Sequence, residues 1–158
     1  MSDGRWQDIR RAAESATRHF RGALDLFDNE NFEGAGRESY RAGMAFMHAI
    51  QSGHTSLEAS LLRILDLLNE HRPTGESWHQ DLITRVCSAI EGEQARPAIL
   101  SEELCRAIDE TRRFRNVAAR GYDSFDAERA LPAVEATRLL ADRFVTEIEA
   151  FKDAIDGD

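Results

Sequence analysis

The sequence has little of what most fold classes other than helical bundles require. Its 158 residues include 10 Gly, 3 Pro and 2 Cys, and 8% of them are aromatic. So little Gly and Pro argues against a collagen-like, linker-like or low-complexity chain. Because aromatic residues and β-branched runs are scarce, an all-β sandwich or barrel is disfavoured. The composition therefore indicates a helical protein of single-domain size.

Long apolar runs are also missing. No run approaches the roughly 18 residues that a membrane span needs, and the first residues, Met1–Trp6, carry no apolar segment of a secretory signal. We therefore expect a cytoplasmic protein that does not enter a membrane. Cys87 and Cys105 lack the spacing of a metal site, and in a reducing cytosol we expect both to be buried free thiols.

The common motifs of catalytic and cofactor sites are absent as well. The sequence contains no GxGxxG, P-loop, GxSxG or HExxH pattern. Its histidines include no i, i+4 pair with a third ligand nearby, and the Glu-x-x-His repeats of a di-iron bundle do not occur. The histidines are His19, His48, His54, His71 and His79. The sequence therefore implies neither a metal ion nor another cofactor.

The charge of the chain is unevenly distributed. Twenty-nine acidic residues against 20 basic ones give a net charge of −9, which disfavours non-specific binding to nucleic acid. Five arginines nevertheless fall close together in the sequence, and we call them the arginine patch: Arg106, Arg112, Arg113, Arg115 and Arg120. If the chain binds RNA or phosphate, the arginine patch is where we expect the contact.

Apolar residues recur every three or four positions along most of the chain, which predicts amphipathic helices. The predicted helices run from about Gly4 to Asp28, from about Tyr40 to Leu68, from Ser77 to Ile90, from Ser101 to Gly121 and from about Pro132 onwards. Gly53 either breaks or bends the second helix, whose buried stripe is expected to include Tyr40, Met44 and Met47. Ser77 and Ser101 are expected N-caps. We predict one domain, residues 1–158, with an all-α, up-and-down bundle of four or five helices.

The segment Phe114–Tyr122, with the sequence FRNVAARGY, resembles the signature of HEPN-domain ribonucleases, and of HepT-like toxins in particular. That signature is Arg with a polar neighbour, then His four to six positions later, then any residue and Tyr. Arg115, Asn116 and Tyr122 match it. The segments Gly75–Ile83 and Arg96–Leu100, the Leu57-Glu58 step and the final helix also resemble one HepT-like subfamily, so the resemblance covers most of the chain.

The resemblance implies a HEPN-type fold, a homodimer with two motifs beside a shared cleft, and metal-independent cleavage of RNA. Its catalytic positions would be Arg115, Arg120 and Tyr122, with Arg112, Arg113 and Asn116 binding RNA. It also implies a nucleotidyltransferase-type antitoxin as partner, which can adenylylate the motif tyrosine, here Tyr122.

Arg120 departs from the motif, since the family has His at this position. A guanidinium stays protonated and cannot act as a base. Three interpretations are open: an inactive relative that kept the fold, a nuclease whose proton shuttle is another histidine (His79, His54 or His48), or a detoxified sequence. A different class of function is a catalytically inactive helical module that binds a protein. Arginines lining a groove would favour RNA, and arginines paired with acids would favour the module.

Glu58 lies on or near the apolar stripe of its helix, where an unpaired carboxylate would be costly. We therefore expect it to pair with an arginine of the patch, and Arg115 is the candidate. His79 follows Trp78 at the start of a predicted helix. It either packs against neighbouring residues or supports the site.

Overall fold

The computed structural model describes residues 4–119 and 125–157. Across these two ranges the chain forms five α-helices and no β-strand: α1 Gly4–Asn29, α2 Arg37–Leu67, α3 Trp78–Val86, α4 Glu102–Ala119 and α5 Ala127–Asp156. The predicted all-α helical bundle is confirmed. Within the described residues, none of the helices combines the length and the apolar character needed to cross a membrane.

The helices bury one apolar face each around a shared core. Residues three and four apart lie on the same face of a helix, so Ile9, Ala13, Ala16 and Phe20 of α1 are all fully buried. α1 packs along α2 and against α5, and α4 packs against α5 and α2. The short α3 contacts α4 and α2, so three helices meet on one side of the bundle.

Gly53 neither breaks nor ends α2, which runs through it without interruption. A Cβ atom at this position would lie 2.5 Å from Cε1 of Phe20. The missing side chain therefore lets the Phe20 ring of α1 lie directly against the α2 backbone. The cost of a glycine inside a helix, about 1 kcal/mol relative to Ala, is offset by burial of this aromatic ring.

Two residues of the expected α2 stripe are not buried. Tyr40 is 68% exposed and Met44 is 46% exposed, whereas Met47 is buried as expected. The expectation was wrong because the core-facing positions of this helix turn are Gly43 and Phe46 instead. Phe125 packs against Gly43, where an added Cβ would come within 2.8 Å of the Phe125 Cβ.

The helix starts differ in part from those expected. The Ser101 hydroxyl accepts the Leu104 N–H at 3.2 Å, so this N-cap is confirmed. Ser77 precedes α3 but caps no backbone group with its side chain. The expected start of the last helix at Pro132 was wrong: α5 begins at Ala127 because Asp126 accepts two backbone N–H groups of its first turn. Pro132 is an exposed residue in the second turn of this helix.

Arg96 fixes the irregular segment between α3 and α4. Its buried guanidinium makes two hydrogen bonds to Glu70, at 2.5 and 3.0 Å, and others to the carbonyls of Ser88, Pro97 and Arg85. Burial raises the pKa of Glu70, but hydrogen bonds and charge from Arg96 and then Arg85 outweigh burial and lower it overall. The pair therefore carries both charges at neutral pH.

The two cysteines form a disulfide, so the expectation of free thiols was wrong. Cys87 follows the last residue of α3 and Cys105 lies in the first turns of α4, with their Cα atoms 6.3 Å apart. The helix ends converge because α3 packs against α4, a neighbourhood that the 18-residue separation in sequence did not reveal.

We predict that Glu70→Gln destabilises the protein at pH 7 by about 3 kcal/mol, because Arg96 would remain buried without its counter-ion. A carboxylate with a lowered pKa stabilises the fold above its unfolded-state value, 4.5, and loses that contribution as pH falls through the folded-state value. The difference between Glu70→Gln and the unmodified chain should therefore shrink below about pH 4.5. Guanidinium unfolding at several pH values measures it, with the exposed Glu93→Gln as control. An unchanged difference at low pH would contradict the role of this pair.

We predict that reducing the Cys87–Cys105 disulfide lowers the free energy of unfolding by about 3 kcal/mol, the chain-entropy cost of a loop of this length. Thermal unfolding with and without reductant measures the change. The double variant Cys87→Ser with Cys105→Ser is the control, since reductant should leave its melting temperature unaltered. Detection of two titratable thiols in the folded, unreduced protein would refute the pairing.

Candidate functional site

Glu58 of α2 lies at the centre of a polar cluster on the side of the bundle where α2, α3 and α4 meet. It is only 5% exposed. Its carboxylate accepts hydrogen bonds from Nη1 of Arg115 in α4, at 3.2 Å, and from Nδ1 of His79 in α3. The expected pairing of Glu58 with Arg115 is therefore present. His54, one helical turn before Glu58, brings its Nε2 to 3.4 Å from Oε2. We call His54, Glu58, His79 and Arg115 the Glu58 cluster.

The surroundings keep Glu58 ionised although it is buried. Burial raises its pKa, but the polar and charge interactions with His54, and then with His79, outweigh burial and lower the pKa overall. A buried carboxylate is tolerated only when its charge is compensated and its oxygens accept hydrogen bonds. Here three groups from three helices supply that compensation. The cluster is thus also a contact that joins α2, α3 and α4.

His54 is fully buried, and its hydrogen bonds determine where its proton lies. The Thr111 hydroxyl donates to the Ile108 carbonyl at 2.9 Å, so its oxygen accepts from His54 Nδ1, also at 2.9 Å. The opposite ring nitrogen, Nε2, has no hydrogen-bond partner among the described residues. This nitrogen points at the Glu58 carboxylate, which can only accept.

His79 has one ring nitrogen engaged and one open. Because an ionised carboxylate only accepts, His79 must donate from Nδ1 to Glu58. This leaves Nε2 of the neutral ring with a lone pair that can take up a proton. The side chain is 29% exposed, and its ring stacks on that of Trp78, with centroids 3.7 Å apart. The arrangement of base and orienting carboxylate is the one that proton-transfer sites use.

Arg115 connects the cluster to a surface groove. Its side chain is 30% exposed and lines a polar groove of about 570 Å³. The other residues of this groove are His19, His48, Gln51, Ser52, Thr55 and Ser56. A guanidinium bound through one nitrogen retains other N–H donors, so Arg115 can pair with Glu58 and still offer donors to an anion. We call this surface the Arg115 groove.

The rest of the arginine patch is arranged differently. Arg112 pairs with Asp109 at 2.8 Å and Arg113 pairs with Asp109 at 3.0 Å, both within α4. Arg106 likewise pairs with Glu102. Asn116 is exposed. Of the residues predicted for the site, Arg120 and Tyr122 lie outside the described residues.

The sequence offered His54 as one of three candidate proton shuttles, but it did not predict the contact of His54 with Glu58. The signal was present, since His54 and Glu58 are four residues apart and therefore share a helix face. His54, Glu58 and His79 each offer a ligand atom, and these atoms lie within 4.8 Å of one another. The sequence expectation that no metal is implied thus overlooked a set of residues able to hold one.

A protein-family model described as "HepT-like protein" matches residues 45–155, which is well over half of the chain. The matched region contains every residue of the Glu58 cluster. No curated protein and no solved structure gives a significant match.

Proposed function

The chain belongs to the HepT-like protein family, and from this premise we propose that it is a toxin-type HEPN protein that cleaves RNA without a metal ion. The observation that carries the proposal is the hydrogen bond from His79 to the buried carboxylate of Glu58, beside the guanidinium of Arg115. It supports the interpretation in which another histidine replaces the one that the family motif has at position 120.

The reaction needs a base, a cation and an acid. In our proposal, His79 Nε2 takes the proton from the ribose 2′-hydroxyl, whose oxygen attacks the adjacent phosphorus. Glu58 holds the ring in the required tautomer and stabilises the imidazolium that forms. The bond to the 5′-oxygen breaks, which yields a 2′,3′-cyclic phosphate and a 5′-hydroxyl end.

The guanidinium of Arg115 is the cation that stabilises the negative charge developing on the phosphate. The groove that it lines also contains His48, but His48 and Glu58 are ten residues apart in α2, about 15 Å along the helix axis. In our proposal water therefore protonates the leaving 5′-oxygen. The hydroxyl and amide groups of the same groove offer hydrogen bonds to the ribose and phosphate of neighbouring nucleotides. Arg112, Arg113 and Asn116 would contribute only outside this groove, and Arg120 would bind phosphate without transferring a proton.

The partners follow from the family rather than from any single residue. We propose a cytoplasmic homodimer, in which two copies of the motif face a shared cleft. A nucleotidyltransferase-type antitoxin would hold the activity in check, with Tyr122 as the residue it modifies. Loss of the Tyr122 hydroxyl would then remove inhibition by the antitoxin.

A second function is favoured by one observation, the internal pairing of the arginine patch. Arg106, Arg112 and Arg113 all pair with acidic residues of their own helix, which lowers their value for binding phosphate. That arrangement suits a catalytically inactive helical module whose acidic surface binds a protein.

We predict that the protein cleaves single-stranded RNA in the presence of EDTA and that His79→Ala slows cleavage by about 100-fold or more, because the base is lost. Single-turnover assays with end-labelled RNA measure the rate. His71→Ala is the matched control, since this exposed histidine lies in the turn before α3 and should leave the rate unchanged. Circular dichroism checks that each variant is folded.

The variant Arg120→His separates the remaining possibilities. If the unmodified chain is inactive and Arg120→His cleaves RNA, position 120 is the missing shuttle and our assignment of His79 falls. If neither cleaves although both are folded, the protein-binding module becomes the better description.

A further inference from the structure

Two imidazoles and one carboxylate converge within the Glu58 cluster in the way that a metal site requires. We propose that His54 Nε2, Glu58 Oε2 and His79 Nδ1 bind one divalent transition-metal ion, with zinc as the best-fitting ion. The three atoms come from α2 and α3 and lie within 4.8 Å of one another. This proposal does not depend on the proposed RNA cleavage, because an ion can bind there whether or not the protein is a nuclease.

The spacing needs only a small adjustment. Zinc binds nitrogen and oxygen at about 2.0–2.2 Å, so neighbouring ligand atoms of a tetrahedral site lie roughly 3.4 Å apart. His54 Nε2 and Glu58 Oε2 already stand at 3.4 Å. His79 Nδ1 hydrogen-bonds directly to Oε2 and must move outwards to admit an ion. It is the second residue of the short α3 and is partly exposed, so this shift disturbs little of the core.

The unpaired nitrogen of His54 is the strongest argument for an ion. Its ring donates from Nδ1 to Thr111, so in the neutral form of the imidazole the lone pair of Nε2 faces a carboxylate that also only accepts. Nε2 is buried and has no hydrogen-bond partner among the described residues. A cation between these two acceptors satisfies both, and His79 becomes the third ligand when its proton moves from Nδ1 to Nε2.

Each of the two buried ligands, His54 and Glu58, also makes a hydrogen bond with a supporting residue. Metal-binding histidines almost always donate their other N–H group to a second residue, and metal-binding carboxylates are hydrogen-bonded in turn. Thr111 accepts from His54 Nδ1 at 2.9 Å, and Arg115 donates to the free oxygen of Glu58, Oε1, at 3.2 Å. The two buried ligands therefore have the supporting partners that a metal site requires.

The ligand chemistry selects the class of ion. Two histidines and a glutamate are a ligand set of catalytic zinc sites, in which a fourth position is open to water or substrate. Imidazole nitrogens favour zinc and its transition-metal neighbours over Mg²⁺ and Ca²⁺, which prefer oxygen. Arg115 stands beside the carboxylate, so an anion is the ligand that we expect at the open position.

The test is isothermal titration calorimetry, in which zinc sulfate is added to the tag-free, EDTA-treated and desalted full-length chain. We expect one zinc ion per chain, with affinity at least about 100-fold weaker for His79→Ala, which removes a ligand, and about 10-fold or more weaker for Thr111→Val, which removes a supporting partner. His71→Ala is the matched control and should bind as the unmodified chain does. Magnesium chloride should give no binding isotherm.

Three results would overturn the proposal: no zinc binding, equal binding by His79→Ala, or loss of binding in His71→Ala, which would indicate adventitious capture by exposed histidines. If His79→Ala does not fold, the visible spectrum of the unmodified chain with cobalt decides. Intense absorption bands of a four-coordinate ion support the site, and the weak spectrum of hydrated cobalt overturns it. None of these results depends on RNA cleavage, so the two proposals can fail separately.

Discussion

The ionised carboxylate of Glu58, buried between three helices, is the constraint on which the rest of the site depends. A buried charge must be compensated, and the compensating groups come from one turn earlier in α2, from the start of α3 and from the middle of α4. The position of the short α3 and the rotation of α4 are thereby tied to one side chain. The hydrogen bond to Glu58 orients His79, and the hydrogen bond to Thr111 orients His54. The contact that holds the helices together therefore also sets the chemistry of the site.

The two proposals use the same atoms in different states. In the metal-free cluster, His79 donates from Nδ1 to Glu58 and keeps Nε2 open for proton transfer. With zinc bound, Nδ1 becomes a ligand and the ring no longer has the orientation that the carboxylate imposes. Zinc and the proton shuttle therefore compete for His79. In either state Arg115 remains at the end of the groove, where an anion would lie.

Much of the fold was predictable from apolar spacing, because five amphipathic helices bury matching faces. What the spacing could not decide was settled by contacts between distant residues. Gly53 is compatible with a break or with a continuous helix, and the Phe20 ring packed against it selects the continuous helix. Cys87 and Cys105 become neighbours only once α3 packs on α4. The start of α5 was misplaced because Asp126, rather than Pro132, begins the helix.

The site was predictable where one residue type demanded a partner. A glutamate on an apolar stripe requires a cation, and Arg115 was the expected one. His54 was only one of three candidate histidines in the sequence, because its orientation depends on Thr111, which lies on another helix. The most direct test of the account is the tautomer of His79, read by long-range ¹H–¹⁵N correlation NMR on the EDTA-treated protein at a pH where the ring is neutral. The account predicts a proton on Nδ1 in the unmodified chain and its transfer to Nε2 in Glu58→Ala. A proton on Nε2 in the unmodified chain would contradict it.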